Sequence, residues 1–186
     1  MDVTKMLESD HRQVEQLFSK IEKAEGAQRM PLIDELSTSL RAHMELEEKV
    51  VYPSFEPVVG HEPVEEGNKE HELARKSLDE MIGLAPDEPG FGAALEAVKA
   101  GVTHHVEEEE GQVFPKVRKQ GKRALDEVAT PFMKQRVELG MPMEASALAA
   151  ASSKDELLSE ARQAGVDGAS SMTKDALAKA LVAKMS

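Results

Sequence analysis

The chain is 186 residues long, enough for one domain with a substantial core and a smaller appendage, and 31% of it is charged while only 3% is aromatic. That balance favours helices packed through Leu, Val, Ala and Met over a β-sandwich, so the expected class is all-α. A net charge of -12 repels phosphate backbones and anionic headgroups, and the absence of cysteine excludes disulfides, thiolate metal sites and cysteine nucleophiles.

The opening residues lack the apolar core of a signal peptide, and no stretch approaches the ~18 apolar residues of a membrane span. A soluble cytoplasmic protein is expected. Leu7, His11, Val14, Phe18 and Ile21 recur at steps of four and three, which predicts a helix over about 2–25, closed by Gly26. Pro31 suits the first turn of a second helix, where Leu36, Leu40, His43, Glu47, Val50 and Ser54 repeat the pattern. The segment 56–63, with Pro57, Gly60 and Pro63, is expected to break the chain. A third helix then carries Val64, His71, Ala74, Leu78 and Ile82, and a fourth carries Phe91, Leu95, Val98, Val102, His105, Glu109, Gln112 and Val113. Short connections make successive helices antiparallel, so residues 1–121 predict an up-down-up-down four-helix bundle. Residues 122–152 predict a fifth, mostly surface helix interrupted at Pro131, followed by a linker that includes the Ala/Ser run 145–153. Residues 153–186 predict a small helix-loop-helix module, each helix opened by a Ser or Thr cap.

One short pattern is written twice: His43 and Glu47 running on to Tyr52-Pro53, and His105 and Glu109 running on to Phe114-Pro115. Each copy has an acid-His dipeptide upstream, Asp10-His11 and Glu70-His71. His and Glu four residues apart point the same way from a helix. The spacing alone is weak, because His11 with Glu15, His61 with Glu65 and His104 with Glu108 match it too. What singles out His11, His43, Glu47, His71, His105 and Glu109 is their place on stripes that otherwise demand Leu or Val. A glutamate buried there without a partner costs several kcal/mol, and a cation is the natural compensation. His61 lies beside the proline-rich break, His104 on the rim, and Glu15 at the edge of its stripe. Four imidazoles and two carboxylates fit a single tetrahedral zinc poorly and suit two metals bridged by both carboxylates, iron first and manganese as the alternative. Such a pair keeps a free position for O2, peroxide or NO. Glu-x-x-His, the ferritin-like spacing, occurs only at Glu8 and His11, since position 68 is Asn.

These residues resemble the haemerythrin-like HHE cation-binding family: a lone His at His11, HxxxE at His43 and Glu47, a lone His at His71, and HxxxE at His105 and Glu109. The resemblance covers about residues 1–120 and implies two non-haem iron ions, oxo- or hydroxo-bridged, with no porphyrin. Oxygen-carrying members have a further histidine one turn after the third-helix ligand, where this chain has Arg75. That departure weighs against reversible oxygen carriage and toward peroxide chemistry. Arg75 either pairs with a carboxylate at the site or lies on a solvated rim. Tyr52, the only tyrosine, is either a phenolate ligand, as in some relatives of this pattern, or a packing residue like Phe114.

The tail, Lys154 through Leu177, resembles the helix-loop-helix unit at the N-terminus of transcription terminator Rho and in SAP-like domains. From Ser153 onward its charges cancel, which weighs against nucleic acid and favours an intramolecular or protein contact. The expected function is therefore a non-haem di-iron protein that binds or consumes a small oxidant, hydrogen peroxide first. The alternative is a sensor of O2, NO, redox state or iron, or an iron-binding module, without turnover.

Overall fold

The computed structural model describes residues 1–185, the side chains at 122–124 and 185 lying outside that description. Among the described residues every regular element is helical: α1 (Val3–Lys23), α2 (Arg29–Leu46), α3 (Tyr52–Val59), α4 (His61–Ile82), α5 (Phe91–Glu108), α6 (Phe114–Lys119), α7 (Lys122–Glu138), α8 (Ala145–Ala151), α9 (Lys154–Gln163) and α10 (Lys174–Met185). Two compact units result, Asp10–Gln120 and a second in which Met1–Ser9 joins Gly121–Ser186. The first nine residues thus group with the C-terminal helices, although the sequence pattern runs on through α1.

The Asp10–Gln120 unit is a four-helix bundle whose rods are α1, α2 with α3, α4, and α5 with α6. Phe18, Ile21, Leu36, Leu78, Met81 and Phe91 form the centre of one contiguous apolar core. Each such side chain, removed from water, contributes about 1.5–3 kcal/mol. His11, His43, His71 and His105 continue the same buried stripes, so the core fixes their level and direction.

Both composite rods carry a single π turn at the join, Glu47–Val51 between α2 and α3 and Glu109–Val113 between α5 and α6. Tyr52 N–H donates to the Glu47 carbonyl and Phe114 N–H to that of Glu109, five residues back in each case. The repeated proline is the cause. Pro53 and Pro115 have no N–H to donate, and their rings would strike a carbonyl one turn earlier, so the helix widens there. The extra residue shifts the buried register: Val51 and Phe55 are buried where the regular period predicts Val50 and Ser54, and Phe114 where it predicts Gln112 and Val113.

The prolines of 56–63 break the chain less than expected. Pro57 lies inside α3, and Gly60, at φ 95°, makes the turn. Helix α4 begins at His61 rather than Val64, with Pro63 in its first turn, where a missing N–H costs nothing. Its buried face is Gly67, His71, Leu78 and Met81, whereas Ile82 is exposed.

In the second unit, α7 passes through Pro131 without interruption and buries Val128, Phe132 and Arg136, so it is amphipathic rather than mostly superficial. The Ala/Ser run expected to be a linker is instead α8, with Ala147, Leu148, Ala149 and Ala151 buried. Alanine is the strongest helix former, and the segment has a partner in α10. Asp2 N–H donates to the Ala151 carbonyl at 2.6 Å, tying the chain's start to this unit. A reciprocal cap opens α9: Glu156 N–H donates to Ser153 Oγ at 3.2 Å and Ser153 N–H to Glu156 Oε2 at 2.7 Å. Among the described residues, no helix is long and apolar enough to cross a membrane.

Candidate metal centre

Six side chains converge inside the bundle. His11, His43, Glu47 and Glu109 form one buried group of facing donor atoms, and Glu47, His71 and His105 form a second. Glu47 belongs to both: its Oε1 lies 3.2 Å from His43 Nε2, while its Oε2 lies 3.3 Å from His71 Nε2. Glu109 Oε2 stands 3.5 Å from His11 Nε2 and 3.8 Å from His105 Nε2. All four oxygens of the two carboxylates are buried without a hydrogen-bond partner.

The imidazoles meet in pairs through Nε2, His11 with His43 at 3.1 Å and His71 with His105 at 3.2 Å. Two ligand atoms each about 2.1 Å from a shared ion and about 95° apart are separated by about 3.1 Å, so this spacing fits coordination. The outer nitrogens explain why Nε2 faces inward. His11 Nδ1 lies 2.8 Å from Glu110, His71 Nδ1 3.0 Å from Glu48, His105 Nδ1 2.8 Å from Glu70, and His43 Nδ1 3.6 Å from Asp10. For His11, His71 and His105 a carboxylate within hydrogen-bond reach holds the proton on Nδ1 and leaves the Nε2 lone pair for a cation, whereas Asp10 acts on His43 through its charge, at a distance too long for a hydrogen bond.

This outer ring obeys the same two-fold pattern as the inner one. The acid of each acid-His dipeptide serves the histidine of the other helix in its half, and the acid after each central glutamate, Glu47 or Glu109, serves the lone histidine of the other half. Arg75 is the alternative settled by contact: it pairs with Glu48 at 2.8 Å, as Arg12 pairs with Glu110 at 2.6 Å. Sequence reasoning missed the roles of Asp10, Glu48, Glu70 and Glu110. The signal was present, since each recurs in both halves next to a ligand-type residue.

Electrostatics follow from this packing. Burial works against a proton on His43, but Glu47 and Asp10 outweigh it and push its pKa up to about 10. Burial likewise opposes protonation of His11 and His71, yet their carboxylate neighbours raise both. Glu47, although buried, is held well below the usual carboxylate range by His43 and His71. Without a cation, protons take its place.

The π turn brings a seventh side chain to the site. Five α-helical residues turn the chain about 500°, and one inserted residue takes back about 100°, which returns Tyr52 to within about 40° of Glu47's bearing. Its hydroxyl lies 3.2 Å from His71 Nε2 and 3.5 Å from His105 Nε2, and its ring stacks on His71 at 5.4 Å between centroids. Phe114 stacks on His11 in the equivalent place at 6.0 Å. Burial, then Glu109 and Glu47, hold the phenol proton far above its ordinary pKa. The remaining histidines lie outside: His104 is exposed near Glu70 and Glu108, His61 is exposed against Glu56, and Glu15 pairs with Arg12 in solvent.

Two cavities adjoin the cluster. One of about 80 Å³ is bounded by Tyr52, Gly67, Glu70, His105, Glu109 and Gln112. The other, of about 30 Å³, is apolar and lies among the four imidazoles, Val14, Leu40, Met44 and Val102.

Comparison with known proteins agrees with this geometry. The profile of the Hemerythrin HHE cation binding domain family matches residues 2–117. The chain is 25% identical over 119 residues to a DNA nickase of Nostoc sp., covering 63% of this chain and 34% of that protein. It is 29% identical over 116 residues to an uncharacterized hemerythrin-like protein of Schizosaccharomyces pombe, covering 59% of this chain and 56% of that one. The matches thus span about a third and about half of those relatives' lengths. A crystal structure of a hemerythrin HHE cation binding domain-containing protein from Mycobacterium kansasii superposes with a TM-score of 0.62 at 19% identity, covering 97% of this chain and 99% of that chain. With its two histidine pairs, its shared glutamate and a profile match over most of its length, this chain belongs to the haemerythrin HHE cation-binding family.

Proposed function

We propose that the cluster holds two non-haem iron ions, with manganese the alternative, and that the chain binds or consumes a small oxidant, hydrogen peroxide being the substrate to test first. The observation that carries this reading is Glu47, whose two oxygens face different histidine groups while forming no hydrogen bond. Six carboxylates, Asp10, Glu47, Glu48, Glu70, Glu109 and Glu110, against the two guanidinium groups of Arg12 and Arg75, leave four negative charges. Two divalent cations balance them while Tyr52 keeps its proton, and a Tyr52 phenolate adds a fifth negative charge that oxidation of one ion would balance. His11 and His43 would hold one ion, His71 and His105 the other, with Glu47 and Glu109 between them and Tyr52 as a phenolate on the second. Bound there, a redox-active pair supplies Lewis acidity and electrons to a small oxidant.

The residues around the pair favour a polar substrate. Glu70 and Gln112 offer hydrogen bonds in the cavity of about 80 Å³, which suits peroxide. The apolar cavity of about 30 Å³ favours the second reading, a module that binds or senses O2 or NO without turnover. For the C-terminal helices we retain an intramolecular role, supported by the packing of α10 on α8 and α9.

Oxygen release from peroxide by the iron-loaded chain, compared with the same amount of free iron and with a His43→Ala chain, tests the proposal. About two irons per chain and release well above free iron are expected. Release no faster than free iron removes the enzymatic reading, and a chain purified under mild conditions that takes up no metal removes both.

A further inference from the structure

Gly67 stands in the interior of α4 and is buried. Glycine is a poor helix former, so a buried one in mid-helix asks for a reason. A Cβ added at Gly67 would lie 2.7 Å from Tyr52 Oη, 3.0 Å from Cζ and 3.3 Å from Cε2. At Gly92, Gly101 and Gly111, also helical or π-helical, an added Cβ meets nothing within 4 Å. The space at Gly67 is therefore filled by one ring and by the hydroxyl end of that ring.

The two halves of the chain differ here in a correlated way. Gly67 is one turn before His71, in the half served by Tyr52. One turn before His11, the chain has Leu7, and the aromatic that stacks on His11 is Phe114, without a hydroxyl. A glycine accompanies the phenol and a leucine accompanies the phenyl.

We propose that Gly67 is the positioning residue for Tyr52, and so determines whether the place beside His71 and His105 is closed by an internal phenol or left open to a small anion. A methyl at position 67 would drive the hydroxyl off the two nitrogens and toward the adjoining cavity. The consequence for metal chemistry rests on the reading of Tyr52 as a ligand; the positioning does not.

The test uses the full chain with Gly67→Ala, Tyr52→Phe and both together. Melting of the metal-free protein measures the contact alone. In the Tyr52→Phe background, which removes the atom at 2.7 Å but keeps Cζ and Cε2 at 3.0 and 3.3 Å, Gly67→Ala is less unfavourable than with Tyr52 present, the about 2–4 °C that alanine ordinarily gains over glycine in a helix being offset by the remaining ring contact. With Tyr52 present, the same substitution lowers Tm. Equal changes in both backgrounds overturn the inference. If Gly67→Ala fails to fold, folding of the double variant sustains it, and failure of both overturns it.

The iron-loaded proteins give the second readout. A phenolate-to-iron band in the visible is expected in the unaltered chain, lost in Tyr52→Phe, and lost in Gly67→Ala together with new binding of azide. A Gly67→Ala protein that keeps the full band overturns the inference. A band that survives Tyr52→Phe, or is missing from the unaltered chain, instead removes Tyr52 as ligand, and the melting comparison still decides the role of Gly67.

Discussion

Glu110 offers a sharp test of the outer carboxylate ring, because it touches one metal-facing histidine and not the others. It accepts from His11 Nδ1 at 2.8 Å and from Arg12 at 2.6 Å. In Glu110→Gln the amide oxygen still accepts the imidazole proton, so the ring keeps its direction and loses only the charge behind it. Removing such a partner costs about 10–100-fold in metal affinity, or about 1.4–2.7 kcal/mol. The conservative amide and the partial exposure of Glu110 place this variant near the lower end, about tenfold, with Glu110→Ala nearer the upper. The ion held by His11 and His43 should be lost first. Anaerobic titration of cobalt(II) or iron(II) against a competing chelator resolves the two ions. Glu110→Gln should weaken one step about tenfold, and Glu48→Gln, which withdraws the same support from His71, should weaken the other. Glu107→Gln, three residues earlier at an exposed position, should change neither. Equal weakening of both steps in each variant, or no weakening, would refute the assignment of these acids to individual histidines.

Chelation of the holoprotein should lower Tm by about 8–16 °C, the linkage expected for an ion at about a thousand times its Kd in a chain of this size, and scanning calorimetry would show it. Metal uptake at pH 7 should release about one proton from His43, whose pKa stands at about 10 in the metal-free site, and a pH indicator in weak buffer reads it directly. The metal-free chain should also lose stability as pH rises. A histidine raised from 6.5 to about 10 contributes fully below 6.5 and loses that contribution through about 10, while Glu47, lowered on folding, loses its contribution only as pH falls below 4.5. A urea midpoint that climbs between pH 7 and 10 would contradict this. Phe91→Ala, deep in the core, should cost about 3–5 kcal/mol in urea unfolding, whereas Met30→Ala on the surface should stay within about 0.5 kcal/mol.

The bundle was legible because its period is simple. Leu7 to Ile21, or Phe91 to His105, needs only steps of three and four, and polar residues on those stripes stand out against Leu and Val. The six ligand-type residues are visible for the same reason, reinforced by the repeat. What a fixed period conceals is a change of period. The π turns move Tyr52 and Phe114 onto the ligand face, and a strict count from Glu47 or Glu109 puts them elsewhere. Their cause, an aromatic-proline dipeptide in both halves, is in the sequence, but proline is ordinarily weighed as a breaker rather than as a widener of helices. The outer acids were hidden by abundance: in a chain with 35 acidic residues, Glu48 and Glu110 look like any solvated charge until the histidine opposite is placed. Alanine and serine in 145–153 suggested a linker because composition says nothing of a partner, and α10 supplies one.

The duplication also separates what the fold repeats from what it varies. Histidine pairs, central glutamates, outer acids and π turns recur in both halves, and each of these faces the cluster or orients a residue that does. The differences fall on the aromatic ring beside each lone histidine, Tyr52 on His71 against Phe114 on His11, and, in sequence, on the residue four before that histidine, Gly67 against Leu7. The guanidinium groups differ too, Arg12 adjoining His11 in sequence while Arg75 lies one turn beyond His71, yet both end on an outer acid. Holding two ions needs symmetry, because each must be balanced by the same charge and the same donors. Acting on a small molecule needs asymmetry, because two identical open positions would give it no preferred place. Tyr52, whose hydroxyl lies 3.2 Å from His71 Nε2, and Phe114, which offers His11 only a phenyl face, supply that asymmetry with a single hydroxyl.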